Sequence, residues 1–381
     1  MSGRRGHGEG AVYRRASDGK WVGTLDLGWV GGKRRRRSVY GRTRAEALRK
    51  LNELRRSQEH GLDLLQRPRT VGQWLDEWLR DVKAHDGVRG TSITRYRSVV
   101  EAHLKPQLGR IRLDKLAPRD VQMFLAGLEG KVAPQTVVKI HAVLRVALSD
   151  AERFELVSRN VAKTVKPPRV PRAERRYLTL EEARHFLRVV RGDRLEAVFV
   201  LGLAMGLRRG ETLGLGWKDI SFDDRMLTIN RALQRFGGQL NLVEPKTRLS
   251  RRPLPIPAVA LRALERQREV QEGERMKAGP SWDNRHGLVF TSSIGTPMEP
   301  RNVEHSFHEI RKEAGLEWLR MHDLRHGCAT FLLGSDVEPR TVMEILGHST
   351  FRLTMDLYGH ALSDRLRAAM DVMDRSLEED E

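Results

Sequence analysis

The chain has a single cysteine, Cys328, among its 381 residues. One thiol cannot build an intramolecular disulfide framework, and cysteine-rich zinc sites are excluded with it, which fits a reducing compartment. No stretch approaches the ~20 consecutive apolar residues that span a bilayer, and the N-terminus lacks the apolar core of a secretory signal. A soluble, cytoplasmic protein with no membrane partner is therefore expected. No Gly-rich loop ends in Lys and Ser or Thr, so no phosphate cradle for a nucleotide is expected. Nor is there a clustered acidic pair of the kind that holds magnesium in a two-metal nuclease. Neither a metal nor any other cofactor is expected, and no internal repeat or long low-complexity segment is evident.

Positive charge, by contrast, is plentiful. The formal net charge is +19, a field that attracts polyanions and makes nucleic acid the default partner. Residues 1–60 hold 16 Lys and Arg against 6 Asp and Glu, a surplus of 10 in under a sixth of the chain. The run Arg34, Arg35, Arg36 and Arg37 stands out there. Such a run is often a solvated tail, but here it sits inside a strand-like pattern.

Residues Ala11 to Arg15, Trp21 to Leu27 and Arg35 to Tyr40 read as short strands, with turn formers at Asp18-Gly19 and Gly31-Gly32 between them. A helix follows, with Thr43 and Glu46 as a capping box and Ala47, Leu48, Leu51 and Leu54 as its apolar stripe. Trp21, Trp29 and Tyr40 among the arginines suit contact with phosphates and bases; filling a small core is an equal reading of Trp21 and Tyr40. Thr70 and Gln73 form a second capping box, opening a helix with Val71, Trp74, Leu75, Trp78, Leu79 and Val82 on one face. Further helices carry Ile93 to Leu104, start near Pro118, and start near Pro134, making a four-helix domain. Lys83, Arg89, Arg95, Arg97, Lys139 and Arg145 are expected exposed, as phosphate contacts or as a solvated face. The Pro-rich basic stretch around Pro167, Pro168 and Pro171 reads as a connector. Beyond it Thr179 and Glu182 form a third capping box, and strands are expected at Ile220 to Phe222, Met226 to Ile229, Leu240 to Glu244 and Leu254 to Ile256.

In this last region polar residues fall into ordered clusters: Gly206-Leu207-Arg208-Arg209-Gly210-Glu211, Pro245-Lys246-Thr247, His322-Asp323-Leu324-Arg325-His326, Leu346-Gly347-His348 and Tyr358-Gly359-His360. Each alone is a common surface feature, and only their joint order is informative. Arg, Lys, His-x-x-Arg, His and Tyr in that sequence resembles the active site of the tyrosine site-specific recombinases, the phage integrase family. The motifs from about Leu178 onward carry that resemblance, whereas the earlier regions match by pattern and position.

The resemblance implies an enzyme that cleaves and rejoins DNA through a 3′-phosphotyrosyl bond, without metal or ATP, integrating and excising a phage or mobile element. The chemistry suits the residue types. Arg208 and Arg325 would clamp the non-bridging oxygens, with His322 and His348 as further donors. Lys246, placed in a turn between two strands, would protonate the leaving 5′ oxygen. Tyr358 would be the nucleophile, and Glu211 would orient a guanidinium or a neighbouring base.

The implied architecture is multidomain and mainly α with small β elements. It comprises a three-stranded sheet plus helix arm-type DNA-binding domain at 1–62 and a four-helix core-binding domain at 68–165. A basic Pro-rich linker at 166–176 then leads to a mixed α+β catalytic domain at 177–381. Arg34, Arg35, Arg36, Arg37, Trp21, Arg95 and Lys139 are the DNA-binding candidates. The implied partners are double-stranded DNA at core-type and arm-type attachment sites and three further copies in a homotetramer. A DNA-bending host factor and an excisionase are candidate accessories, and the setting is nucleoid-associated. Leu362, Leu366, Ala369, Met370 and Met373 form an apolar stripe that would dock on a neighbouring protomer or on its own chain. Two rivals remain: relaxation of DNA in the manner of a type IB topoisomerase, and a non-catalytic DNA-binding regulator.

Overall fold

The computed structural model describes residues 11–30, 32–59, 69–170, 176–245 and 251–347. The chain divides into two compact units, Met1–Arg172 and Ala173–Glu381.

The first unit begins with β1 (Ala11–Arg14), β2 (Trp21–Val30) and β3 (Lys33–Gly41), an antiparallel sheet in that order. Helix α1 (Arg44–Glu59) covers one face, burying Leu25, Ala47 and Leu51. Gly23 lies so close to α1 that an added Cβ would stand 3.1 Å from both the Ala47 carbonyl oxygen and Leu51. The expected capping box is only half present. Thr43 Oγ1 accepts the Glu46 N–H at 3.2 Å, but the Glu46 carboxylate accepts from the N–H of Arg42, one residue earlier. Leu48, expected in the buried stripe, is exposed, because the narrow sheet covers only the Ala47–Leu51 line of the helix.

The helical part of this unit follows the expected four segments. The first is continuous from α2 (Val71–Glu77) through a π turn (Trp78–Val82) to α3 (Lys83–His85), and the Thr70–Gln73 capping box is complete. The second runs from α4 (Gly90–Val99) through another π turn (Val100–Leu104) to α5 (Lys105–Leu108). Pro106 explains the second widening, since a proline ring crowds the carbonyl four residues back and offers no N–H. Helices α6 (Pro118–Ala126) and α7 (Pro134–Arg153) complete the bundle. Trp74 and Trp78 tie the first segment to α7, their Nε1–H groups donating to the Ala147 carbonyl at 3.0 Å and to Asp150 at 2.7 Å.

Lys83 is not exposed as its charge suggested. It is 7% accessible and its ammonium contacts Asp150 at 2.8 Å and Asp86 at 2.7 Å. Two carboxylates and the Trp78 ring offset the cost of taking this charge out of water. Arg95, Arg97, Lys139 and Arg145 are exposed, and Arg89 is half-buried.

The second unit starts with α8 (Leu180–Val189), its Thr179–Glu182 capping box complete, and α9 (Glu196–Ala204), which is buried on nearly all sides. Phe186, Phe199 and Phe307 meet in the core with ring centroids 5.6–6.3 Å apart. After the short α10 (Arg209–Leu213) come β4 (Ile220–Ser221), β5 (Met226–Ile229), β6 (Ala232–Phe236), β7 (Gln239–Val243) and β8 (Arg252–Pro255). They form two sheets, β4-β5-β8 and β6-β7, both antiparallel. Then follow α11 (Ala258–Ala278), α12 (Pro300–Glu313), α13 (Met321–Gly334) and α14 (Pro339–Leu346).

Strand β6 was not expected. It pairs with β7 as a hairpin across Gly237 and Gly238, both at positive φ. Strand β7 belongs to one sheet and β8 to the other, and position 246 between them lies outside the described residues. Among the described residues no helix is long and apolar enough to cross a membrane.

Candidate active site

Arg208 stands at the N-cap of α10, directly after a tight turn at Gly206. Its position is set by two features. Apolar α9 is buried in the core, and Gly206 takes φ +63° where a Cβ would collide with Leu346. One turn later, Glu211 turns its carboxylate back onto Arg208, accepting from the backbone N–H at 3.1 Å and from Nη1 at 2.6 Å. The remaining Nη2 donates to the Gly347 carbonyl at 3.0 Å.

Helix α13 delivers His322 and Arg325 on one face, three residues apart. Arg325 is 3% accessible. It donates to the Gly206 carbonyl and, at 2.6 Å, to the Leu346 carbonyl. Burial and the neighbouring Arg208 charge push its pKa down to about 9, so the guanidinium stays cationic at neutral pH but is poorly neutralised. His322 has an edge open to solvent, yet dense packing around the ring and then the Arg325 charge hold its pKa below the ordinary value. The imidazole is therefore neutral at pH 7 and can give one N–H to a ligand. Its ring lies edge-on to His326 at 4.6 Å.

A third guanidinium joins these two. Arg252 on β8 is buried, donating Nε–H to the Ile345 carbonyl at 2.7 Å and Nη2–H to Glu211 at 3.3 Å. Burial would raise the Glu211 pKa, but Arg252 and Arg208 together hold it below the ordinary carboxylate value. The sequence motifs did not single out Arg252. The signal was nevertheless there, because Arg252, Leu254 and Ile256 alternate with exposed residues and point inward.

Arg208, Glu211, His322 and Arg325 are thus brought together. Lys246, His348 and Tyr358 lie outside the described residues, as do the apolar stripe from Leu362 to Met373 and Arg248. Gly347 ends α14 in the left-handed region, so position 348 follows directly from the turn that Arg208 touches. Among the described residues no three His, Cys, Asp or Glu side chains converge as a metal site.

The DNA-binding candidates are dispersed. In β3 successive side chains alternate faces, so Arg34 and Arg36 project from one side of the sheet and Arg35 and Arg37 from the other. Arg37 is half-buried opposite Leu25, on the α1 side, and Arg34 donates to Asp26 at 2.6 Å. Trp21 is half-buried, whereas Trp29 is the most exposed ring of the sheet. Tyr13, Tyr40 and Arg36 share the face that α1 leaves open. Arg95 on α4 and Lys139 on α7 are both exposed.

Comparison with known proteins accords with this geometry. Residues 176–365 match the phage integrase family, and residues 70–128 match the N-terminal SAM-like domain of phage integrases. An integrase of Streptomyces ambofaciens is 28% identical over 389 residues, covering 98% of each chain. A XerC-like tyrosine recombinase of Caldanaerobacter subterraneus is 27% identical over 362 residues, covering 90% of this chain and 92% of that one. The Tn1549 transposon integrase in complex with a circular intermediate DNA superposes with a TM-score of 0.68 at 21% identity, over 80% of this chain and 99% of that chain. The lambda integrase tetramer bound to a Holliday junction gives 0.55 at 17% identity, over 93% and 96%.

The chain belongs to the phage integrase family of tyrosine site-specific recombinases. It is an enzyme of site-specific DNA recombination, acting for a phage or other mobile element.

Proposed function

We propose that the chain exchanges DNA strands through a covalent bond between Tyr358 and a backbone phosphate. The phenolic oxygen attacks phosphorus, the bond to the 5′ oxygen breaks, and the 3′ phosphate remains esterified to Tyr358. The phenol passes its proton to water as it attacks, and the departing 5′ oxygen takes one from Lys246. Arg208 and Arg325 stabilise the charge that gathers on the non-bridging oxygens, with His322 as a neutral donor and His348 as a further donor. The ester keeps the energy of the broken bond, so a 5′ hydroxyl from another strand reverses the step and no nucleotide is consumed.

The single observation behind this reading is the convergence of Arg208 and Arg325, from α10 and α13, on the turn that leads to position 348. Two adjacent guanidiniums, Arg208 paired with Glu211 and Arg325 held, among the described residues, only by carbonyls, form an anion site suited to a tetrahedral phosphate.

The substrate is double-stranded DNA. The helical part of the first unit, with Arg95 and Lys139, would hold core-type sites. The sheet, through Arg34, Arg35, Arg36 and Arg37 with Trp21 at its edge, would hold arm-type sites. Four copies would assemble on two sites and pass through a Holliday junction. A DNA-bending host factor and an excisionase would then set the direction.

The decisive experiment uses Tyr358→Phe and a nicked attachment-site DNA. Binding should persist while covalent capture disappears. Capture that survives the substitution removes Tyr358 from its role. Efficient relaxation of plasmids of any sequence, with no joining of two sites, would favour a topoisomerase.

A further inference from the structure

An α-helix leaves its last carbonyls without intrahelical donors, and they are usually met by a backbone turn or by water. At the end of α14 a different solution is found. The carbonyls of Ile345, Leu346 and Gly347, three in succession, accept from Arg252, Arg325 and Arg208 respectively. The helix dipole places partial negative charge at the same spot, so each arginine is held by a weak anion surrogate.

The three differ in what an arriving phosphate would do to them. Arg208 is partly accessible and Arg325 adjoins it, and both must turn toward a phosphate to clamp it. Arg252 is buried on a strand, with Nε–H on Ile345 and Nη2–H on the Glu211 carboxylate. Glu211 in turn grips Arg208 by both backbone and side chain. One guanidinium thereby links the helix end, the carboxylate and, through it, the clamp.

We propose that Arg252 is a positioning residue for strand cleavage: it fixes the last turn of α14 and the Glu211 carboxylate while Arg208 and Arg325 exchange carbonyls for phosphate. Without it, the clamp would gain its ligand only as the turn leading to position 348 lost its third anchor. The role argued for Arg252 is to orient the helix end and the carboxylate, through the bonds it makes to Ile345 and Glu211. The proposal rests on the phosphate-clamp reading above, and the test separates the two.

The assay is single-turnover cleavage of a half-site DNA that traps the covalent product. Arg252→Lys keeps the charge but cannot place two donors in fixed directions. Its rate constant should fall on the order of ten- to hundredfold, as for other residues that orient reacting groups, with DNA affinity and the fraction of cleaving protein unchanged. An unchanged rate constant overturns the proposal, including when only the active fraction falls, since that is what lost folding alone produces. Glu211→Gln should lower the rate similarly, and the double variant should lose less than the product of the two losses; independent losses would count against the link.

Should Arg252→Lys fail to fold, amide exchange in the unaltered protein decides. Amides 343–347 should remain protected when half-site DNA binds; exchange at free-peptide rates upon binding overturns the idea. Tyr358→Phe is run alongside. Its continued capture of DNA would sink the catalytic reading itself, whereas normal controls with a fully active Arg252→Lys would sink only the role of Arg252.

Discussion

Arg208 and Arg252 share one carboxylate, Glu211, and Arg325 is held only by carbonyls, so the site holds more positive charge than the described side chains balance. That excess is also what His322 feels. Its folded pKa lies below the ordinary 6.5 because of crowding and the adjacent Arg325 charge. As pH falls through 6.5 the unfolded imidazole takes a proton and the folded one resists, so the unfolded state binds more protons and stability declines. The loss spans the window from 6.5 down to the depressed folded value. In thermal unfolding, His322→Gln should therefore gain stability relative to the unaltered protein as pH drops through that window. A difference that does not vary with pH would show that the ring is not so placed. The order of the arginine and histidine motifs was legible residue by residue. The partner of each guanidinium was not, because a carbonyl that accepts a hydrogen bond has no signature in sequence.

At the scale of the element, the π turns at Trp78–Val82 and Val100–Leu104 show what periodicity leaves out. The apolar face of the first helical segment read correctly from Val71 to Leu79, yet Lys83 then fell on the buried side. One extra residue per turn rotates everything beyond it. Lys83 lies between Asp86 and Asp150, with Trp78 donating to the same Asp150. Lys83→Met should thus destabilise the protein by about 3 kcal/mol, the scale for breaking one side of a largely buried ion pair. Denaturant unfolding measures this, and DNA affinity should hardly change. A stability loss below about 1 kcal/mol, as for an exposed pair, would contradict the buried network. Strand β6 was missed for another reason: its turn, Gly237-Gly238, is a hairpin signal, but the strand mixes arginine and glutamine with its apolar residues.

For the whole molecule, the uneven charge makes its own prediction. Salt dependence steepens by about 0.9 in log-log slope for each phosphate neutralised on duplex DNA. Removing residues 1–62 should weaken binding to one subset of attachment sites and flatten that slope. The open sheet face with Arg36, Tyr13 and Tyr40 implies several contacts. Equal slopes and equal site preference in the full and shortened chains would reduce the segment to a passive tail. Strand alternation also divides the arginine run between two faces, so single substitutions should be unequal, Arg36→Ala costing more arm-site affinity than Arg37→Ala.

By itself the sequence determined the class of chemistry, the helical bundle with its capping boxes, and the order of the motifs. These follow from side-chain type, local spacing and period, which need no knowledge of distant contacts. Only tertiary structure decided that Arg252 belongs with Arg208 and Arg325, that Lys83 is buried, and that three carbonyls at the end of α14 hold the arginines. Each of those depends on which backbone atoms meet across the fold, and that is set by packing many elements at once.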